Sequence, residues 1–319
     1  MTHDQFSLLS NQAVAVCAVA YFLALLAHLV EWAAARSVAA DTARGVAVES
    51  QAATGGGTDV LERTDVDTER VERWARIGVV LTVVAAGVHL VAVVARGLAA
   101  DPVRVPWGNM YEFTLTATRV VTLGYLLLYR RFDLDWLSPV VIGFVLATLM
   151  LDVTVLYERV QPLRDALQSP WLVIHVIAAI IATGAFTLGG MASALYLVKE
   201  RWPDTRQGGY LSRLPELDGL DRMAYRTQAF AFPVWTFAAL IAGPIWAQHA
   251  WGRAWGWDPK EIWAFITWVV YAAYLHARAT AGWKGRAAAI VALIGLATLW
   301  FNFVGINFFF GAGSQHSYA

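Results

Sequence analysis

Of the 319 residues, 58% are hydrophobic and only 15% are charged, a balance too apolar for a water-soluble domain. Basic and acidic side chains cancel to a formal net charge of zero, which removes any bulk electrostatic basis for binding nucleic acid. The one cysteine, Cys17, excludes an internal disulfide, a CxxC redox pair and a CxxCH attachment site.

A helix needs roughly 20 apolar residues to cross a bilayer. Runs of that kind recur at 12–34, 76–96, 113–130, 137–157, 171–198, 228–248, 262–279 and 287–310. The alternating pattern of a membrane barrel is missing. The expected fold is an all-α integral membrane protein, a bundle of about eight transmembrane helices forming a single polytopic domain over 1–319. The first run is long and follows a short segment without basic residues, so it reads as a retained helix and not a cleaved signal.

Most of the 24 basic residues fall in alternate loops: Arg36 to Arg76, Arg130 and Arg131, Lys199 to Arg226, and Arg278 to Arg286. The positive-inside rule puts those loops in the cytoplasm and both termini outside. The cytoplasmic loop 36–75 contains Thr54-Gly-Gly-Gly-Thr58 and reads as a flexible insertion, with Leu61–Arg76 as a surface helix. The segment Pro106-Trp107-Gly-Asn109-Met-Tyr111-Glu112-Phe113 opens the third span; its polar residues either orient a ligand or cap the helix. Ser169-Pro170 reads as an N-cap with proline at the first helical position.

The richest stretch is Trp251-Gly-Arg-Ala-Trp255-Gly-Trp257-Asp258-Pro-Lys-Glu261-Ile-Trp263, in an external loop over 249–262. Four tryptophans lie within thirteen residues. Interfacial anchoring does not require such fixed spacing, whereas a large flat ligand does, and a porphyrin fits. Asp258 and Glu261 also have the spacing of a capping box. Arg253 and Lys260 are placed to meet either carboxylates of that ligand or lipid headgroups.

Ionisable residues in membrane helices are expensive and default to functional candidates. His175 lies about 8 Å along its helix from Pro170, at the same face as the tryptophan loop and as His316 in the tail. Two imidazoles and an aromatic platform are what bis-histidine haem ligation needs, and His175 and His316 are the candidate axial ligands. His276 is about 26 Å deeper, too far for the same iron. It suits an inner haem, with His28 or another protein supplying the second ligand. His89 and His249 read as packing residues without an assigned role.

Trp251–Trp263 resembles the WWD signature of haem-handling proteins, W-G-x-x-W-x-W-D-x-x-E. Its continuation Ala264-Phe-Ile-Thr-Trp268 through Tyr274-Leu-His276-Ala-Arg278 is similar to the CcsA/ResC branch of cytochrome c biogenesis, the system II pathway. Asn109-Met-Tyr-Glu112, Ser169-Pro-Trp-Leu-Val-Ile-His175 and His316-Ser-Tyr318 resemble that branch too. The likeness runs from about residue 76 to the end; loop 36–75 has no counterpart.

The resemblance implies a membrane subunit of a holocytochrome c synthase, or haem lyase, in a bacterial plasma membrane. It would act with a CcsB/ResB-type partner, attaching haem b to the CxxCH thiols of apocytochrome c, with a thioredoxin-like thiol reductant as a further partner. By the same resemblance His175 and His316 hold the external haem iron. His276 serves an inner one with a ligand from the partner. Trp251, Trp255, Trp257, Asp258, Glu261 and Trp263 form the reaction site. The competing readings are a haem exporter or chaperone without synthase activity, and a di-haem membrane electron carrier.

Overall fold

The computed structural model describes residues 1–49, 57–162, 168–202, 210–310 and 314–316. All regular structure among them is helical. In chain order the helices are α1 (His3–Glu49), α2 (Gly57–Leu98), α3 (Met110–Tyr129), α4 (Ser138–Thr154), α5 (Pro170–Arg201), α6 (Tyr210–Arg213), α7 (Leu217–Phe237), α8 (Gly243–Trp251), α9 (Pro259–Thr280), α10 (Gly285–Trp300) and α11 (Ile306–Phe310). A π-turn at Ala238–Ala242 joins α7 to α8, and another at Phe301–Gly305 joins α10 to α11. Each pair is therefore one continuous rod.

Six helical segments are long and apolar enough to cross a membrane: His3–Ala35, Thr68–Leu98, Asp135–Thr154, Pro170–Arg201, Leu217–Trp251 and Gly285–Phe310. This is a multi-pass membrane protein. The predicted spans 113–130 and 262–279 also form helices, α3 and α9. Both are less apolar than the six. The threonines, Glu112 and Arg119 dilute α3, and the tryptophans, tyrosines, His276 and Arg278 dilute α9.

Helix extends beyond the predicted spans in two places, and Leu61–Arg76 is helical as its sequence suggests. α1 continues to Glu49 and α2 begins at Gly57, so loop 36–75 contracts sharply. The alanine-rich run after Trp32 favours helix and lacks proline. Glu69/Arg73 and Glu72/Arg76 stand four apart, as helix-stabilising pairs do. Gly55 and Gly56 lie outside the described residues. Likewise α7 begins at Leu217, well before the predicted start of its span at 228.

The chain divides into two compact units. Unit 1 comprises 1–99, 121–154 and 202–215; unit 2 comprises 100–120, 155–201 and 216–319. In unit 1, α1 and α2 pack along small buried residues, among them Ala13, Cys17, Ala24, Ala85 and Ala92, which let helix backbones approach closely in lipid. A methyl group on Gly78 would come within 2.6 Å of the His28 ring. Unit 2 is built on α5, α7, α9 and α10. Its core stacks Phe186 on Tyr271 at 3.7 Å, with Trp235 edge-on to Phe186. Gly190 admits Leu296, and Gly295 admits Tyr271.

Candidate functional site

Unit 2 contains a pocket, partly open to solvent, with a cavity volume of about 180 Å3. Its wall is mostly apolar: Trp107 and Phe113 from the α3 end, Trp235 and Trp246 from the α7–α8 rod, Trp255, and Phe303 from the second π-turn. Into this space project His175 from α5, Lys260 and Glu261 from the start of α9, and His316 from the tail. Residues more than a hundred positions apart thus share one pocket.

The start of α9 fixes the loop. Asp258 is its N-cap and forms the capping box that its spacing to Glu261 predicts. Asp258 Oδ1 accepts the Lys260 amide at 2.9 Å. One oxygen of Glu261, Oε2, accepts the Gly256 amide at 2.8 Å and the Asp258 amide at 3.1 Å. Those two amides flank Trp257, whose φ of 57° is left-handed, a conformation costing roughly 1–2 kcal/mol for a residue with a Cβ. Glu261 therefore clamps the strained turn, which directs Trp257 outward with 67% of its surface exposed.

Each cavity histidine is held through Nδ1. His175 Nδ1 lies 2.9 Å from the Ala238 carbonyl oxygen. A carbonyl only accepts, so Nδ1 carries the proton and the Nε2 lone pair is left for a ligand. The π-turn makes this bond available. Ala238 O accepts the Gly243 amide five residues on, and Gly243 has no side chain to fend off the imidazole. A methyl there would sit 3.1 Å from Ala238 O and 3.2 Å from His175 Nδ1. π-turns of this kind recur at functional sites.

His316 Nδ1 lies 3.2 Å from Asp258 Oδ1. Asp258 also accepts the Ser314 hydroxyl at 2.8 Å and the Gln315 amide at 2.7 Å. Burial disfavours its charge, yet the bonds from His316, the Lys260 amide, Ser314 and the Gln315 amide outweigh burial. They hold the carboxyl well below the ordinary carboxylate range. An ionised Asp258 fixes His316 in the same tautomer as His175, with Nε2 free. Tying the second ring nitrogen to a carbonyl or carboxylate is the arrangement that orients metal-ligating histidines.

Trp246 touches both rings. It stacks with His175 at 5.9 Å and 14°, and meets His316 edge-on at 5.5 Å. Trp251 backs His316 at 4.7 Å. Among the described residues there is no group of three or more His, Cys, Asp or Glu able to cage a bare ion. Two imidazoles in one aromatic pocket suit a metal whose remaining positions are filled by a flat macrocycle. Lys260 supplies positive charge; its Nζ donates to Asn307 Oδ1 at 3.0 Å. Burial lowers its pKa to about 8, while Asp258 pulls it back up.

The structure distributes the predicted site residues unevenly. His175, His316, Trp255, Lys260 and Glu261 line the cavity, whereas Trp251, Trp257, Asp258 and Trp263 do not. Trp263 packs on Phe301 of the second π-turn at 4.3 Å. His276 lies on an exposed face of α9, about four turns or 24 Å beyond Lys260. Arg253 reaches Gln315 of the tail at 2.6 Å. Asn109 caps α3 through the Glu112 amide at 2.8 Å and also faces the cavity. Glu112 holds its own loop by pairing with Arg104 at 2.6 Å.

His28 is 1% exposed and bonded to Glu31, and His89 is fully buried against Tyr21. His249 bonds the Ile245 carbonyl and is absent from the cavity wall. Sequence reasoning missed Trp246, Trp235, Asn307 and the Ala238 carbonyl. Asn307, a polar residue in an apolar run, carried a usable signal. The backbone carbonyl carried none.

A family model described as "Cytochrome C assembly protein" matches residues 107–312. Curated relatives are named cytochrome c biogenesis protein CcsA. The Trieres chinensis protein is 33% identical over 248 residues, covering 67% of this chain and 77% of its own. For the Chlamydomonas reinhardtii protein the values are 35% identity, 67% and 60%. Among solved structures, the cytochrome c haem lyase CcmF superposes with a TM-score of 0.60 at 17% identity, over 96% of this chain. That similarity concerns the fold, and the chain spans about half of CcmF, 49% of its length. The family match across the cavity-bearing unit and the identity to CcsA proteins agree: the chain belongs to the cytochrome c assembly protein family, in its CcsA branch.

Proposed function

We propose that this protein is the membrane subunit of a cytochrome c haem lyase, and that the unit 2 cavity holds haem b as substrate between His175 and His316. One observation carries the reading. Two imidazoles from distant parts of the chain face one aromatic cavity, and each has Nδ1 tied to an acceptor, leaving Nε2 for iron. An apocytochrome c then presents reduced CxxCH at the cavity. Each thiol adds across a haem vinyl group, sulfur bonding one carbon and the thiol hydrogen passing to the other, so no electrons are lost. The histidine of CxxCH takes over one axial position. The chain contributes positioning and shielding.

Eight spans, with α3 and α9 completing the six more apolar segments, put both termini and the tryptophan loop on the extracytoplasmic side of a bacterial plasma membrane. This follows from the bias of basic loops. His276 is exposed on α9, which supports an inner haem site completed by a CcsB/ResB-type partner. His28 does not suit that role, because its ring lies against the α2 backbone at Gly78.

The test is to purify the protein with its partner from a haem-sufficient host and to record the reduced absorption spectrum and haem content. Low-spin b-type haem is expected, lost in His175→Gly and His316→Gly and recovered with imidazole. A covalent product on added apocytochrome c distinguishes a lyase from a haem exporter or chaperone. Normal cytochrome c maturation in a deletion strain would point to an electron carrier instead. Full haem content and activity in both glycine variants would sink the assignment of the external site.

A further inference from the structure

Asp258 does not line the cavity, yet its side chain accepts four hydrogen bonds beside it. Its carboxylate receives the Lys260 amide, the Ser314 hydroxyl, the Gln315 amide and His316 Nδ1, at 2.7 to 3.2 Å. One of these partners belongs to α9. The other three belong to the tail, which lies beyond the last helix. A residue serving only as a helix cap would need the first bond alone.

We infer that Asp258 is a positioning residue. It anchors the tail to the start of α9 and presents His316 to the cavity with Nε2 free. This rests on the reading of the cavity as a haem site. Oδ1 and Oδ2 divide the work: Oδ2 fixes the tail backbone at Gln315, while Oδ1 takes the Ser314 hydroxyl and the imidazole. The geometry is over-determined, because the Ser314 hydroxyl also receives the His316 amide at 3.1 Å. Arg253 adds a second strap through Gln315 Oε1 at 2.6 Å. His175 has no share in this arrangement, since its acceptor is the Ala238 carbonyl. Losing Asp258 therefore weakens one axial ligand and spares the other. The Asp258 carboxylate accepting from Nδ1–H would also make His316 the stronger electron donor, favouring oxidised iron and lowering its potential.

Asparagine and serine cap helices about as well as aspartate, so Asp258→Asn and Asp258→Ser keep the start of α9 while removing the charge. Asp258→Ser also removes the reach to the tail. In the complex purified with haem, both variants should retain haem on His175. The low-spin spectrum should give way to a five-coordinate, high-spin component that imidazole converts back, as in His316→Gly. Affinity on the His316 side should fall about 10–100-fold, and the reduction potential of the remaining low-spin fraction should rise. Unchanged spectra and potentials in both variants would show that Asp258 is only a cap and would overturn the inference.

A second arm needs no haem. Hydrogen exchange of the Gln315 amide in the haem-free protein should be slow in the wild type and fast in Asp258→Ser. Equal exchange in the two would overturn the anchoring role. If the wild type binds no haem, the haem-site reading fails while the exchange arm still decides whether Asp258 holds the tail.

Discussion

Both units place histidines inside an apolar helical scaffold, and they use them differently. In unit 1 the surroundings close over the ring. His28 is bonded to Glu31, which is bonded in turn to Arg213, and three of its ring atoms lie within 2.8 Å of where a methyl on Gly78 would be. His89 is fully enclosed and meets the Tyr21 hydroxyl, which donates to Thr122. In unit 2, His175 and His316 are also held at Nδ1, by contacts of 2.9 and 3.2 Å, but both residues line a cavity. What separates the two pairs is the open space beside the ring, and burial alone does not make the distinction.

The largest test of this contrast compares substitutions across the units. His175→Gly or His316→Gly should abolish low-spin haem, whereas His89→Asn should leave the spectrum of the folded protein unmoved. Spectral loss in His89→Asn would break the distinction. Next in size, Glu31→Ala removes the acceptor shared by His28 and Arg213. It should cost about 1–3 kcal/mol, as expected when buried polar partners are orphaned. The unfolding midpoint in detergent should fall, with haem content per folded molecule unchanged.

A similar substitution in unit 2, Glu261→Ala, frees the Gly256 and Asp258 amides around the left-handed Trp257. Hydrogen exchange at both amides should accelerate, and about 1–3 kcal/mol of local stability should go. Glu261→Gln, which retains an acceptor oxygen, should lose less.

The pH response is smaller. The Asp258 carboxyl is depressed in the folded protein, so its stabilisation is complete above the unfolded pKa, near 3.9. That stabilisation fades as pH falls toward the lower folded value. Protection of the Gln315 amide should therefore survive at pH 4, and release of the tail in the pH 5–6 range would contradict the assigned charge. The smallest effect belongs to Gly243→Ala, where the Ala238 carbonyl and His175 must each yield a few tenths of an ångström. A modest shift of the haem absorption bands with haem retained is expected.

These contrasts also separate what the residue order reveals from what it conceals. Run length located the six helices long and apolar enough to cross a membrane, because crossing a bilayer is a one-dimensional requirement. The tryptophan cluster marked the end of α9 where Trp255, Lys260 and Glu261 line the cavity, and the Asp258 to Glu261 spacing signalled the capping box. The helix over Leu61–Arg76 was legible in its four-residue charge spacing, whereas only helix propensity marked the continuation of α1 to Glu49. The cavity wall was only partly legible. Trp246 and Trp235 sit in a uniformly apolar run where nothing marks one face. The exposed Trp257 and the Trp263–Phe301 contact depend on a left-handed turn and a π-turn, and both arise from tertiary packing.

The two cavity imidazoles differ finally in what heredity can do to their acceptors. Asp258 is a side chain, and a single codon change can replace its carboxylate with an amide, a hydroxyl or nothing. The acceptor of His175 is the main-chain oxygen of Ala238, present whichever residue is encoded there. Only an insertion or deletion that closes the Ala238–Ala242 turn would withdraw it. Variation can remove the His316 acceptor outright, whereas a neighbouring side chain, such as a methyl at Gly243, can only shift the His175 acceptor.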